Sequence, residues 1–83
     1  MSADKMHKLV HMANQIADYF KVMPEADALK GATDHLRAFW TPKMRSEIVV
    51  WLEKGGQGLN PLAAKAVTEL KQEAAKLKDV ATG

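Results

Sequence analysis

Two histidines four residues apart, His7 and His11, are the side chains whose spacing first suggests chemistry. Residues at this spacing share one face of a helix, where a pair of imidazoles can bind a metal ion. A catalytic zinc site takes three protein ligands, however, and the glutamate of the His-Glu-x-x-His motif is absent. We therefore interpret the pair as part of a solvated polar face and predict no metal site in this chain.

Residues suited to covalent catalysis are also scarce. Cysteine is absent, so the chain holds no thiolate nucleophile, disulfide or cysteine-ligated cluster. Serine occurs only at Ser2 and Ser46. A nucleophile needs a base and an orienting group within a water-poor pocket, and 83 residues leave little volume for one. We expect no catalytic residue, no bound cofactor and no enzyme activity of this chain alone.

The glycine-rich stretch Gly55-Gly56-Gln57-Gly58 suggests a phosphate-binding loop, because helix N-termini bind anions. No strand pattern precedes it, and the Gly-Lys-Ser/Thr ending of that motif is missing. A helix C-cap followed by a tight reversal explains the glycines better. A contact with a partner, extending to Leu59, is the alternative that remains open.

Charge and hydropathy exclude two classes of partner. Lysine plus arginine exceed aspartate plus glutamate by only two, with no basic block, so we expect no nucleic-acid binding. The longest apolar run, residues 48–52, is far short of the roughly 20 residues of a membrane span, and we expect no membrane contact. The N-terminus lacks the apolar core of a signal peptide, which favours a cytoplasmic location. A chain this short buries only about 60% of its unfolded surface, so a stabilising protein partner is expected.

Capping residues and prolines divide the chain into four predicted helices. The first covers residues 3–20, and Pro24 lies in the first turn of a second that ends near Trp40. The third covers residues 42–54, and the fourth starts at Pro61 and frays beyond Lys78.

We predict an all-α fold, a single domain over residues 1–83 whose core covers residues 3–78. Three helices form the bundle, and the fourth packs on it or reaches outward. The apolar stripes expected to face the core are Met6, Leu9, Ala13, Ile16, Ala17 and Phe20; Leu29, Ala32, Leu36, Phe39 and Trp40; Met44, Ile48, Trp51 and Leu52; and Ala63, Ala66, Val67, Leu70, Ala74 and Leu77. Asn14 falls on the polar face of the first helix, and Val50 points away from the core.

An aromatic and cationic corner, residues 39–45, joins the second and third helices. Phe39 and Trp40 close the core in one interpretation, with Arg45 stacked on the indole. In the other they form an interaction surface, because aromatic, Met and Arg side chains anchor protein interfaces. The outward Val50 favours the second interpretation.

Three sequence blocks carry a family resemblance. They are Met12-Ala13-Asn14-Gln15-Ile16-Ala17, then Asp34-His35-Leu36 with Phe39-Trp40-x-Pro42-x-Met44-Arg45, and Gly55-Gly56-x-Gly58-Leu59-x-Pro61-Leu62. In order and spacing they resemble the delta subunit of NAD-dependent formate dehydrogenase over residues 9–67.

The resemblance implies a small, non-catalytic subunit without cofactors, in a soluble cytoplasmic enzyme that oxidises formate to carbon dioxide. The larger subunits of that enzyme would carry the molybdenum or tungsten pterin, the iron–sulfur clusters and the flavin. Delta-type subunits are associated with assembly or stability of the complex. A transient assembly factor, absent from the mature enzyme, is the alternative. The residues to which we assign partner binding are His35, Phe39, Trp40, Pro42, Met44, Arg45, Val50, Gly55, Gly56, Gly58 and Leu59.

Overall fold

The computed structural model describes the backbone of residues 2–82 and the side chains of residues 4–76. Four helices, α1 (Ser2–Phe20), α2 (Glu25–Phe39), α3 (Pro42–Glu53) and α4 (Pro61–Thr82), account for the secondary structure, and no strand occurs in this part of the chain. All-α architecture is thus confirmed. The fourth helix packs on the bundle, in contact with each of the other three. The backbone of α4 is helical as far as Thr82, beyond Lys78, where fraying was predicted. The side chain of Leu77, assigned to the apolar stripe of this helix, lies outside the described residues.

Hydrogen bonds from local capping residues mark the starts of α3 and α4. The Met44 amide donates a hydrogen bond to Thr41 Oγ1 over 3.2 Å, and Pro42 follows in the first turn of α3. The Ala63 amide donates to Asn60 Oδ1 over 2.8 Å at the start of α4. Pro24 was predicted to lie in the first turn of α2. It is instead the N-cap, with extended ψ, and the helix begins one residue later, at Glu25.

The core lies where apolar stripes of all four helices meet. Leu36, Ile48 and Val67 are its largest completely buried side chains, and the stripe of α1 is buried or half-buried as predicted. Two stripe assignments are wrong, because Phe39 and Ala74 are exposed.

Both errors have a geometric cause. An Ala at position 31 would place its Cβ 2.5 Å from the ring of Phe20, so α1 and α2 approach closely there, well before Phe39. Phe39, near the end of α2, lines an open groove between the two helices and stays uncovered. Ala74 faces an open depression that it lines together with Pro42, Arg45 and Val50 of α3, and this depression leaves it uncovered.

Candidate partner-binding surface

The two aromatic residues of the predicted corner have opposite environments. Trp40 keeps 5% of its surface exposed and belongs to the core, whereas Phe39 keeps 72% exposed. Trp40 is the C-cap of α2, in an extended conformation, and its amide donates to the Leu36 carbonyl over 3.0 Å. This change of backbone direction turns adjacent side chains to different sides. Trp40 therefore closes the core, and Phe39 is the part of the corner that solvent reaches.

Arg45 holds the corner together through the main chain. Its Nη1 donates to the carbonyls of Trp40 and of Arg37, the latter over 3.0 Å. These carbonyls lie at the end of α2, where helical partners run out and the helix dipole favours a cation. Arg45 is thus a C-terminal cap for the neighbouring helix, a contact that the sequence did not predict.

We use the name aromatic groove for an open apolar depression between α1 and the second half of α2, closed at one end by α3. Its volume is about 670 Å³, and its walls are Met12, Gln15, Ile16, Tyr19, Phe20, His35, Phe39, Trp40 and Met44. The rings of His35 and Phe39 lie 4.6 Å apart between centroids, at an interplanar angle of 34°. Phe20 meets His35 edge-on at 6.3 Å and Tyr19 edge-on at 5.0 Å. Four rings therefore form one continuous contact chain, and Tyr19 at its end is 72% exposed.

Sequence reasoning missed Gly31 and Tyr19. Gly31 lets the Phe20 ring lie against the backbone of α2, where any Cβ would collide with it. A glycine inside a helical pattern is the available signal, since it is unfavourable there without a packing reason. The helical periodicity of α1 did not predict a role for Tyr19, because this residue lies outside the predicted apolar stripe.

The predicted partner-binding residues do not form one surface. His35, Phe39, Trp40 and Met44 line the aromatic groove. Pro42, Arg45 and Val50 instead line a second depression of about 550 Å³ between α3 and α4. Val50 is 47% exposed, which confirms that it points away from the core.

The glycine loop, residues 55–58, is a helix-ending turn, as predicted. The Gly56 amide donates to the Trp51 carbonyl over 2.9 Å, and the Gly55 amide donates to the Leu52 carbonyl over 3.0 Å. This bond pair defines a Schellman motif, and the positive φ at Gly55, Gly56 and Gly58 strongly favours glycine. Leu59 packs on the core.

Asn14 attaches this loop to α1. Its Nδ2 donates to the Gly58 carbonyl over 2.8 Å, and its Oδ1 accepts from the Asn60 amide over 2.9 Å. Gly58 lies so close to α1 that an added Cβ would stand 3.2 Å from Val10 Cγ1. Asn14, predicted only as part of a polar face, thus joins α1 to the segment that leads into α4.

A cluster of ion pairs around Arg37 lies outside the lining of the aromatic groove. Arg37 binds both Glu73 and Asp34, which raises the pKa of its guanidinium. Hydrogen bonds from Lys30 and then Arg37 lower the pKa of Asp34. No carboxylate lines the aromatic groove.

The remaining chemical candidates are exposed. His7 and His11 both face solvent. Within the described residues, no group of three or more histidine or acidic side chains could hold a metal ion.

A family model described as the NADH-dependent formate dehydrogenase delta subunit FdsD matches residues 8–67 of the 83. This chain belongs to the FdsD family. No curated protein and no solved structure matches it. None of the described helices is long and apolar enough to cross a membrane.

The FdsD match covers the parts of the chain that build the features described above. It begins in α1, contains the whole aromatic groove and the glycine loop, and ends at Val67 in the first half of α4. Asn14 joins the first of the three resembling blocks to the last, through Gly58 and Asn60. Met12 lines the same groove as Trp40 and Met44 of the middle block. The three blocks are therefore one connected region of the fold.

Proposed function

We propose that this FdsD chain is a non-catalytic subunit of a molybdenum- or tungsten-dependent formate dehydrogenase, and that it supports assembly or stability of the cofactor-bearing catalytic subunit. Formate oxidation and NAD reduction take place in the other subunits, which carry the metal pterin, the iron–sulfur clusters and the flavin. The chain itself holds no cofactor. Membership of the FdsD family supports this function.

The observation that carries the binding role is the exposed aromatic groove. Tyr19 and Phe39 each keep 72% of their surface exposed, beside half-buried Met12 and Met44. Aromatic and methionine side chains are enriched at protein interfaces, and burying large aromatics supplies much of the binding free energy. We assign the contact with the catalytic subunit to this groove.

Binding alone is enough to support the mature enzyme. A partner that binds the cofactor-loaded conformation and not the unfolded one stabilises it by mass action, by about 2.7 kcal/mol when its free concentration is a hundred times Kd. Phe39 and Tyr19 supply the buried area in this mechanism. The core residue Trp40 and the cap residue Arg45 position Phe39 by fixing the end of α2.

Affinity capture of the tagged full chain from its own cells tests this function. The retained proteins are identified by mass, their ratio is measured, and formate-dependent NAD reduction is assayed, with the tag alone as control. We expect the large formate dehydrogenase subunits in fixed ratio with activity. Retention of immature, inactive subunits alone would instead support the transient assembly factor, and retention of none would refute both roles.

A further inference from the structure

We propose that the aromatic groove binds an amphipathic helix of the partner subunit, with apolar side chains in the groove and carboxylates at the end beside Lys8 and Lys43. This inference rests on the proposed function and adds the conformation and the charge of the bound segment. Three features of the described residues carry it: the shape of the groove, the absence of a strand edge, and the distribution of unpaired cations.

The shape of the groove suits a row of side chains along one face of a bound helix. It follows α1 from Met12 to Tyr19, nearly two turns, and its opposite wall is formed by His35 and Phe39 one turn apart on α2. Side chains at three- and four-residue spacing on an incoming helix would meet successive positions along such a wall.

The bound segment must satisfy its own backbone hydrogen bonds. Residues 2–82 contain no strand, so they offer no sheet edge on which an extended peptide could pair. Lining side chains with polar atoms are few: Gln15, Tyr19, His35 and Trp40. Because buried amides and carbonyls need partners, a helix is the conformation that can enter this apolar groove.

Charge is distributed unevenly around the groove. Lys8 precedes Met12 by one helical turn and therefore lies on the same face of α1, at the end of the groove closed by Met44. Lys43 adjoins Met44 in the first turn of α3, where the helix dipole adds partial positive charge.

Lys5, on the same face of α1, pairs with Glu47 of α3 at this end of the groove, whereas Lys8 and Lys43 form no ion pair with a carboxylate of the described residues. Lys21, Lys30, Lys65 and Lys71 are paired elsewhere. Glu47 neutralises only one of these three lysines and no carboxylate lines the groove itself, so this end of the groove keeps positive charge that complements an acidic segment.

The test measures the affinity of the full chain for formate dehydrogenase subunits prepared without it, at 50 and 300 mM NaCl. The groove variant is Lys8→Glu with Lys43→Glu, and its matched control is Lys54→Glu with Lys76→Glu. Both pairs change the net charge equally, and the control lysines are exposed and likewise form no ion pair with a described carboxylate. Circular dichroism confirms that each variant is folded.

We expect the groove charge variant to bind about tenfold more weakly than the control variant at 50 mM NaCl, with a smaller difference at 300 mM, because salt screens exposed charges. Phe39→Ala should weaken binding at both salt concentrations. Equal affinities of the two charge variants would overturn the acidic assignment, and normal affinity of Phe39→Ala would overturn the groove as the binding surface. The role as an accessory subunit would survive either result, although the second would remove its assignment to the aromatic groove. The role itself would fail only if the unmodified chain does not bind.

A photo-crosslinking residue, Phe39→p-benzoylphenylalanine, tests the conformation of the bound segment in the same complex. Crosslinks to one partner segment at three- and four-residue spacing, with a carboxylate within the next turn or two, support the helix. Crosslinks at alternating positions, or to a segment without carboxylates, refute it.

Discussion

Two neighbouring residues, Phe39 and Trp40, show how one peptide unit separates a core role from a surface role. Trp40 leaves the helical conformation and turns its ring into the core, while Phe39 stays on the last turn of α2 beside His35. Substitutions at the two positions should therefore affect different properties: stability at Trp40, and binding at Phe39.

Trp40→Ala should lower the free energy of unfolding by about 3–5 kcal/mol, because it leaves a cavity in the core. Urea unfolding followed by circular dichroism measures the change. Phe39→Ala is the matched control and should stay within about 0.5 kcal/mol of the unmodified chain, because its ring is exposed. Equal losses for both variants would contradict the division of roles between them.

Arg45 also has a local role, which is to cap the C-terminal end of α2. Arg45→Met should lower the free energy of unfolding by about 1–2 kcal/mol, because it removes a charged donor from two carbonyls and a cation from the negative end of the helix dipole. Arg45→Lys keeps the charge but loses the planar guanidinium, so its loss should be intermediate. A loss for lysine as large as that for methionine would show that the charge is unimportant there.

At the scale of the elements, the contacts between helices and loops shape the molecule as much as the helices themselves. Phe20 of α1 lies against Gly31 of α2, and an open groove between the same two helices reaches Phe39. The loop between α3 and α4 is held from outside by Asn14 of α1. One side chain thus links α1 to a loop more than forty residues away in the sequence.

Asn14→Ala should lower the free energy of unfolding by about 1–3 kcal/mol, because the Gly58 carbonyl and the Asn60 amide both lose a partner. Thermal unfolding and amide hydrogen exchange measure the effect, and the increase in exchange should be largest for Asn60. Gln15→Ala, an exposed neighbour on the same helix, is the control and should change neither quantity. Unchanged exchange at Asn60 in Asn14→Ala would contradict the attachment.

At the scale of the whole molecule, ion pairs connect α2 to α4 at both ends of α2. Lys65 binds Glu25 over 3.0 Å, and Arg37 binds Glu73 near the other end. The hydrogen bond from Lys65 lowers the pKa of Glu25, and those from Lys30 and Arg37 lower the pKa of Asp34. None of the residues in these pairs lines the aromatic groove.

Stability should therefore decrease in acid. A carboxyl whose pKa is lower in the folded state stabilises the fold above its ordinary pKa, which is 4.5 for Glu25 and 3.8 for Asp34. That contribution is lost as the pH falls through the folded value. We expect the unfolding midpoint in urea to fall between about pH 5 and pH 3, and to fall less in Glu25→Gln with Asp34→Asn.

Ionic strength provides the control for this pH dependence. Both carboxyls are at the surface, so 0.5 M NaCl should reduce the difference between the double variant and the unmodified chain. An identical pH dependence in both proteins at low salt would show that these pairs add nothing to stability.

The sequence alone determined the fold class, the four helices and most of their boundaries. Thr41-Pro42 and Asn60-Pro61 are local signals whose hydrogen bonds form within three residues, so no knowledge of the rest of the chain is needed to interpret them. The three-glycine turn is equally local. The apolar stripes of α1 and α3 were also predictable, because a helical period places their side chains on one face wherever the helix packs.

Only the tertiary structure decided which residues of those stripes are covered. Phe39 fits the helical period of α2 but lines an open groove between α1 and α2, where 72% of its surface stays exposed. Asn14 acquires its role from a loop more than forty residues away. Periodicity gives the direction of a side chain relative to its own helix axis, whereas burial and groove formation depend on the distance and crossing of separate helices, which no local pattern contains.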